Sequence, residues 1–188
     1  MRKENGGPVI TGALCALAWI VMAVGRVPVI LFLKYDPSDV VVTLGGFLWG
    51  PSTACLVSVI VAAVEMITVS DTGILGCLMN IVQTLSFAGT ASFLYRKRRS
   101  ASGAAAGLLA GWMLTVVVML LWNYLVTPLY LGYSREAVAE LLLPVFLPFN
   151  LLKGGLNALF TGLLYRPVAT GLKKSGYLPA ANDETPER

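Results

Sequence analysis

Two ionisable side chains, Glu65 and Lys153, lie deep inside long apolar runs of this sequence. A charge at the centre of a membrane helix costs about 2.5–3.5 kcal/mol on insertion scales, so such a residue faces a cavity or a partner. Lys153 stands thirteen residues from both Glu140 and Arg166. In a helix that is about 20 Å from either end, too far for a lysine stem to reach water. Asn150 falls three residues earlier and shares the same helical face. An ammonium and a carboxamide therefore point into one space; the first only donates hydrogen bonds, the second donates and accepts. Pro144 and Pro148, just upstream, remove backbone donors and bend the helix, which frees carbonyls to line a cavity. The competing reading pairs Lys153 with Glu65 as a buried ion pair.

Other polar residues each admit two readings. Asn123 lies in LLWNYLVTP, between Trp122 and Tyr124. It serves either an interhelical hydrogen bond or a ligand. Asn80 and Gln83, three apart, suit contact between helices. In the turn KYDPSDV, Ser38 or Asp39 can cap the segment that follows; alternatively, the Asp39 carboxylate stands at the mouth of a cavity. Gly12 and Ala16, four apart, permit close approach of another helix, from this chain or from a partner subunit.

The elements that must carry these residues follow from composition. The chain has 188 residues, 56% hydrophobic and 13% charged, with mean hydropathy +0.75. Soluble domains carry about 25% charged residues. Five segments are long and apolar enough to span a bilayer: roughly 8–33, 52–69, 74–95, 104–130 and 138–166. A sixth, DVVVTLGGFLW at 39–49, is apolar but short. Counting it as a short helix puts the basic groups Arg2 and Lys3, Arg96–Arg99, and Arg166, Lys173 and Lys174 on one side. Asp36, Asp39, Asp71, Glu136 and Glu140 then fall on the other. The positive-inside rule makes the basic side cytoplasmic. The expectation is an all-α polytopic membrane protein with six transmembrane helices and both termini cytoplasmic. It consists of one membrane domain, 1–174, and a polar cytoplasmic tail, 175–188. The first apolar run continues past residue 30 without a small-residue cleavage site and reads as a retained helix.

Several function classes are excluded. There is no histidine, hence no His-dependent triad and no His metal site. Cys15, Cys55 and Cys77 are far apart and form neither a CxxC pair nor a disulfide framework. No Gly-Lys dipeptide occurs, so the phosphate loop of an ATPase is missing and any ATP-driven step belongs to another protein. The net charge of +4 reads as topology, not as nucleic-acid binding. A small intramembrane enzyme acting on lipid would need clustered carboxylates or histidines that the spans do not carry. No catalytic residue and no metal ligand is assigned.

Four stretches carry a family resemblance: FLKYDPSDV (32–40), LWGPSTA (48–54), LWNYLVTPLY (121–130) and LPFNLLKGGLNALF (147–160). The sequence resembles the riboflavin-binding S components of energy-coupling factor (ECF) transporters, over residues 8 to about 170. The resemblance implies a six-helix protein of the bacterial cell membrane that captures riboflavin from outside, without a cofactor of its own. It implies as partners a membrane coupling subunit and two ATPase subunits. It implies ligand contacts from Asn150 and Lys153, from Asn123, and from Asp39, with Asn80 and Glu65 as further candidates. Gly12 and Ala16 match the small-residue pairs that face the coupling subunit. The chain departs from the family where Pro37 replaces an aromatic and Val41 a proline. The ligand chemistry agrees: a flavin ring wants apolar walls and a few placed donors and acceptors along one edge. The same fold with another vitamin or a flavin analogue is the alternative.

Overall fold

The computed structural model describes residues 6–30, 33–70 and 72–177. Arg2, Lys3, Asp71 and the tail beyond residue 177 lie outside the described residues. The chain forms α1 (Gly6–Gly25), a hairpin of β1 (Val27–Ile30) and β2 (Leu33–Tyr35), and α2 (Ser38–Trp49). Then follow α3 (Pro51–Thr68), α4 (Gly73–Lys97), α5 (Ala101–Leu131) and α6 (Arg135–Lys174). Five of these helices are long and apolar enough to cross a membrane, and α2 is a shorter apolar helix, so six are counted among the described residues.

The first expected span, 8–33, is too long. The helix stops at Gly25, and Val27–Ile30 and Leu33–Tyr35 pair as an antiparallel hairpin, with Val27 opposite Tyr35. Pro28 has no N–H and disfavours a helical residue before it, while Val27, Val29 and Ile30 suit extended backbone. The twenty residues of α1 already reach about 30 Å, the thickness of a bilayer core.

With twelve residues, α2 reaches only about 18 Å and cannot cross alone. Every residue from Ser38 to Phe47 is buried. A helix apolar on all sides is one enclosed by neighbours, and α2 packs against α1, α3, α4 and α6. Gly50, at φ 107°, reverses the chain between α2 and α3 in a conformation that other residues resist. Pro51 then occupies the first turn of α3, where its missing N–H costs nothing.

Helices α4 and α5 meet along Gly107 and Gly111, four apart, whose faces rest on the backbone carbonyls of Ala91 and Phe87; Gly103 rests on that of Arg98 in the turn between the helices. Ser100 caps α5 by accepting from Gly103 N at 3.1 Å. Both α4 and α6 contain one wider π turn, at Leu85–Gly89 and Leu142–Phe146. The second contains Pro144, and Pro148 stands two residues past its end; these are the prolines read as helix-bending. Each π turn lies within a few residues of polar side chains that face the interior, a common place for such irregularities.

Candidate ligand-binding site

A cavity of about 320 Å³ opens among the hairpin and helices α3 to α6. It lies at the end of the bundle opposite the basic residues that follow α4. Ligand pockets for small molecules start at about 300 Å³. Leu33, Met79, Met119 and Phe149 supply apolar wall, and polar groups converge between them.

Lys153 is 6% exposed and borders the cavity with Asn150, as their spacing predicts. Its charge is not balanced by Glu65. The Lys153 Nζ lies 3.6 Å from Asp36 Oδ2. Glu65 instead pairs with Arg26, from the end of α1, and also accepts from Asn80 Nδ2. The competing reading, a Lys153–Glu65 pair, is therefore replaced by two other pairs. The reason is the hairpin: it folds the chain back so that Arg26 meets α3 and Asp36 drops onto α6. Burial opposes a charge on Asp36, but Lys153, Ser38 and Arg26 outweigh it and hold its carboxyl below the usual range.

Ser38 and Asp39 do not cap α2, which starts with no side-chain cap. Asp36 provides the local bonds there: its Oδ1 accepts from Ser38 N at 3.2 Å and from Ser38 Oγ. Asp39 is 2% exposed and sits behind the cavity wall. It accepts from Thr84 Oγ1 at 2.7 Å, Gln83 Nε2 at 2.9 Å and Asn157 Nδ2 at 3.0 Å. Asn157 Oδ1 in turn accepts from Tyr35 OH at 3.2 Å, which ties the hairpin to α6. Burial, then the Asp36 and Asp39 charges, push the Tyr35 phenol up to about 12, so it remains a proton donor near neutral pH.

Asn123 bonds within its own helix rather than between helices. Its Nδ2 donates to Met119 O at 2.7 Å, and its Oδ1 accepts from Thr127 Oγ1 at 2.9 Å. It still borders the cavity. Asn80 bridges α4 to α3 through Glu65, as a helix contact should, and it too lines the cavity, as does Glu65. Gly12 and Ala16 are exposed, and a Cβ at Gly12 would touch nothing within 4 Å, so packing inside the chain is not their role.

Sequence reading passed over Arg26, Asp36 and Gln83 as cavity residues. Arg26 carried a signal: a lone arginine at the end of an apolar run. Asp36 and Gln83 carried one only in company, since each is defined by a partner far away in the chain.

The Arg26–Glu65–Asn80 cluster joins α1, α3 and α4 beside the cavity. Glu65→Ala leaves a half-buried guanidinium without its counter-charge. Breaking a fully buried pair costs about 3–5 kcal/mol, and Arg26 keeps partial contact with water, so the loss should fall below that range. The expected result is a drop of several degrees in the thermal midpoint in detergent, with a smaller drop for Glu65→Gln, which retains an acceptor.

Apolar helices around a polar-edged cavity, beside a hairpin, define a membrane-embedded binder of a small solute. Residues 9–165 match the sequence profile of the ECF transporter substrate-specific component, and the chain belongs to that family. It is a transporter component, not an enzyme. The riboflavin transporter RibU of Staphylococcus aureus is 28% identical over 150 residues, covering 76% of this chain and 78% of the relative. The riboflavin transporter FmnP of Bacillus subtilis is 30% identical over 132 residues, covering 65% and 70%. A solved S component of a bacterial ECF transporter superposes with TM-score 0.77 at 27% identity, covering 91% of this chain and 99% of that one. The fold is shared more distantly with ThiT from Listeria monocytogenes, at TM-score 0.51 and 13% identity, covering 92% and 99%.

Proposed function

We propose that this chain captures riboflavin from outside a bacterial cell and presents it for ATP-driven uptake by partner subunits. The observation that carries the proposal is the pairing of Lys153 and Asn150 on one wall of an apolar-sided cavity. A flavin presents flat apolar faces and one edge of alternating carbonyls and N–H. Lys153 donates to a carbonyl of that edge, and Asn150 and Asn123 stand beside it. Asp36 and Arg26, near the hairpin, suit the hydroxyls of the ribityl chain. Asp39 acts from behind the wall.

The cavity end faces outside and the basic end faces the cytoplasm, with both termini, in line with the positive-inside rule. Gly12 and Ala16 offer a lipid-exposed small-residue face to a membrane coupling subunit, which in turn engages two ATPase subunits. The relatives' names and the matching LPFNLLKGG segment support riboflavin as cargo.

Titration of the purified chain with riboflavin tests this. The expected result is saturable quenching of flavin fluorescence at or below micromolar concentration, and a yellow protein when it is purified from riboflavin-fed cells. Unchanged fluorescence across that range would remove riboflavin as the cargo.

A further inference from the structure

Gln83 lies in the cavity wall, 5% exposed. Its amide has one donating and one accepting end, and the surroundings decide which faces the cavity. The end at 2.9 Å from Asp39 Oδ2 must be the NH₂, because a carboxylate only accepts. Asp39 is fixed in turn by Thr84 Oγ1 and Asn157 Nδ2. Turning the Gln83 amide over would set two acceptor oxygens against each other in a buried place. Its Oε1 is therefore the free end. It has no donor among the described residues and is not sealed away from open space.

Asn150 follows the same logic. Its Nδ2 donates to Phe146 O at 2.8 Å, and a backbone carbonyl only accepts, so its Oδ1 is the free end. The wall thus offers the ammonium of Lys153 as a donor and two amide oxygens held as acceptors.

We infer that Gln83 is a specificity-determining residue whose Oε1 receives an N–H from the ligand, and that Asp39 is the positioning residue that sets this polarity. The inference rests on the proposed capture of riboflavin. Of the groups on the flavin edge, the imide nitrogen between two carbonyls is the one that carries a hydrogen. A ligand without that hydrogen leaves an acceptor unpaired in a buried site, the kind of mismatch that rejects analogues most strongly.

The full chain in detergent is titrated with riboflavin and with riboflavin methylated at the imide nitrogen. Wild type is expected to favour riboflavin by about tenfold or more. Gln83→Leu should bind riboflavin about tenfold more weakly and lose most of that preference. Asp39→Asn introduces a donor beside Gln83, which releases its amide to turn over, so the preference should fall there too. General disruption would weaken both ligands in parallel and keep their ratio. Parallel weakening in both variants, or equal affinity of wild type for the two ligands, overturns the inference and leaves riboflavin capture standing. Failure of wild type to bind riboflavin at all overturns the proposed function and this inference with it.

Discussion

Lys153→Met is expected to weaken riboflavin binding by about ten- to a hundredfold, the largest loss from any single side chain of the cavity. Hydrogen bonds to a charged donor are worth about 1.5–3 kcal/mol, and a tenfold change in affinity corresponds to about 1.4 kcal/mol. One such bond therefore accounts for the loss. The variant has a second effect that must be separated from the first. Asp36 Oδ2 lies 3.6 Å from Lys153 Nζ, so removing the ammonium strands a buried carboxylate. A stranded partner of this kind costs about 3–5 kcal/mol of stability. Adding Asp36→Asn removes the stranded charge and should restore most of the thermal stability. It should not restore binding. Titration of both variants, with thermal midpoints alongside, separates the roles. Affinity near that of wild type in the double variant would reduce Lys153 to a counter-ion for Asp36.

The second large effect concerns packing. Gly107→Val is expected to abolish recovery of monodisperse folded protein. A Cβ at Gly107 would lie 2.7 Å from the carbonyl oxygen of Ala91, and one at Gly111 would lie 2.6 Å from that of Phe87. These neighbours are backbone atoms of another helix and cannot swing aside as a side chain end does. Relief requires α4 and α5 to separate. Gly107→Ala should be milder, near the ~1–3 kcal/mol typical of overpacking. Gly12→Val is the internal control, because nothing stands within 4 Å of a Cβ there. Its thermal midpoint should match that of wild type. A Gly107→Val protein as stable as that control would show that the two helices do not approach as closely as described.

The two variants probe features of different visibility. Lys153 announces itself, because a charge in the middle of an apolar run needs a reason wherever the chain folds. Asn150 is carried with it by helical periodicity. The glycines at 103, 107 and 111 were equally visible as a spacing, and small residues four apart mark close helix contact. What the spacing does not say is which helix they meet. The partner for Lys153 was similarly hidden. Charge balance alone allowed Glu65, the other ionisable residue deep in a span, whereas the hairpin delivered Asp36 from the neighbouring loop. Asp39 shows the same limit from the other side. Its position after a proline suggests a helix cap, yet its carboxylate turns inward and gathers donors from α4 and α6.

Most of the elements were legible in the chain alone: where apolar runs reach bilayer length, where the Gly50–Pro51 turn interrupts them, and which polar residues are too deep to reach water; the break at Gly25 and the hairpin after it were not. The legible features are properties of local composition and of helix geometry, and they do not depend on what lies alongside. The pairings came with the packed fold: Asp36 with Lys153, Glu65 with Arg26 and Asn80, and Asp39 with Gln83, Thr84 and Asn157. A buried charge must find a partner, but several stand at permissible distances along the chain. The choice among them is made by how closely glycine faces let the helices approach and by where the hairpin turns the chain back.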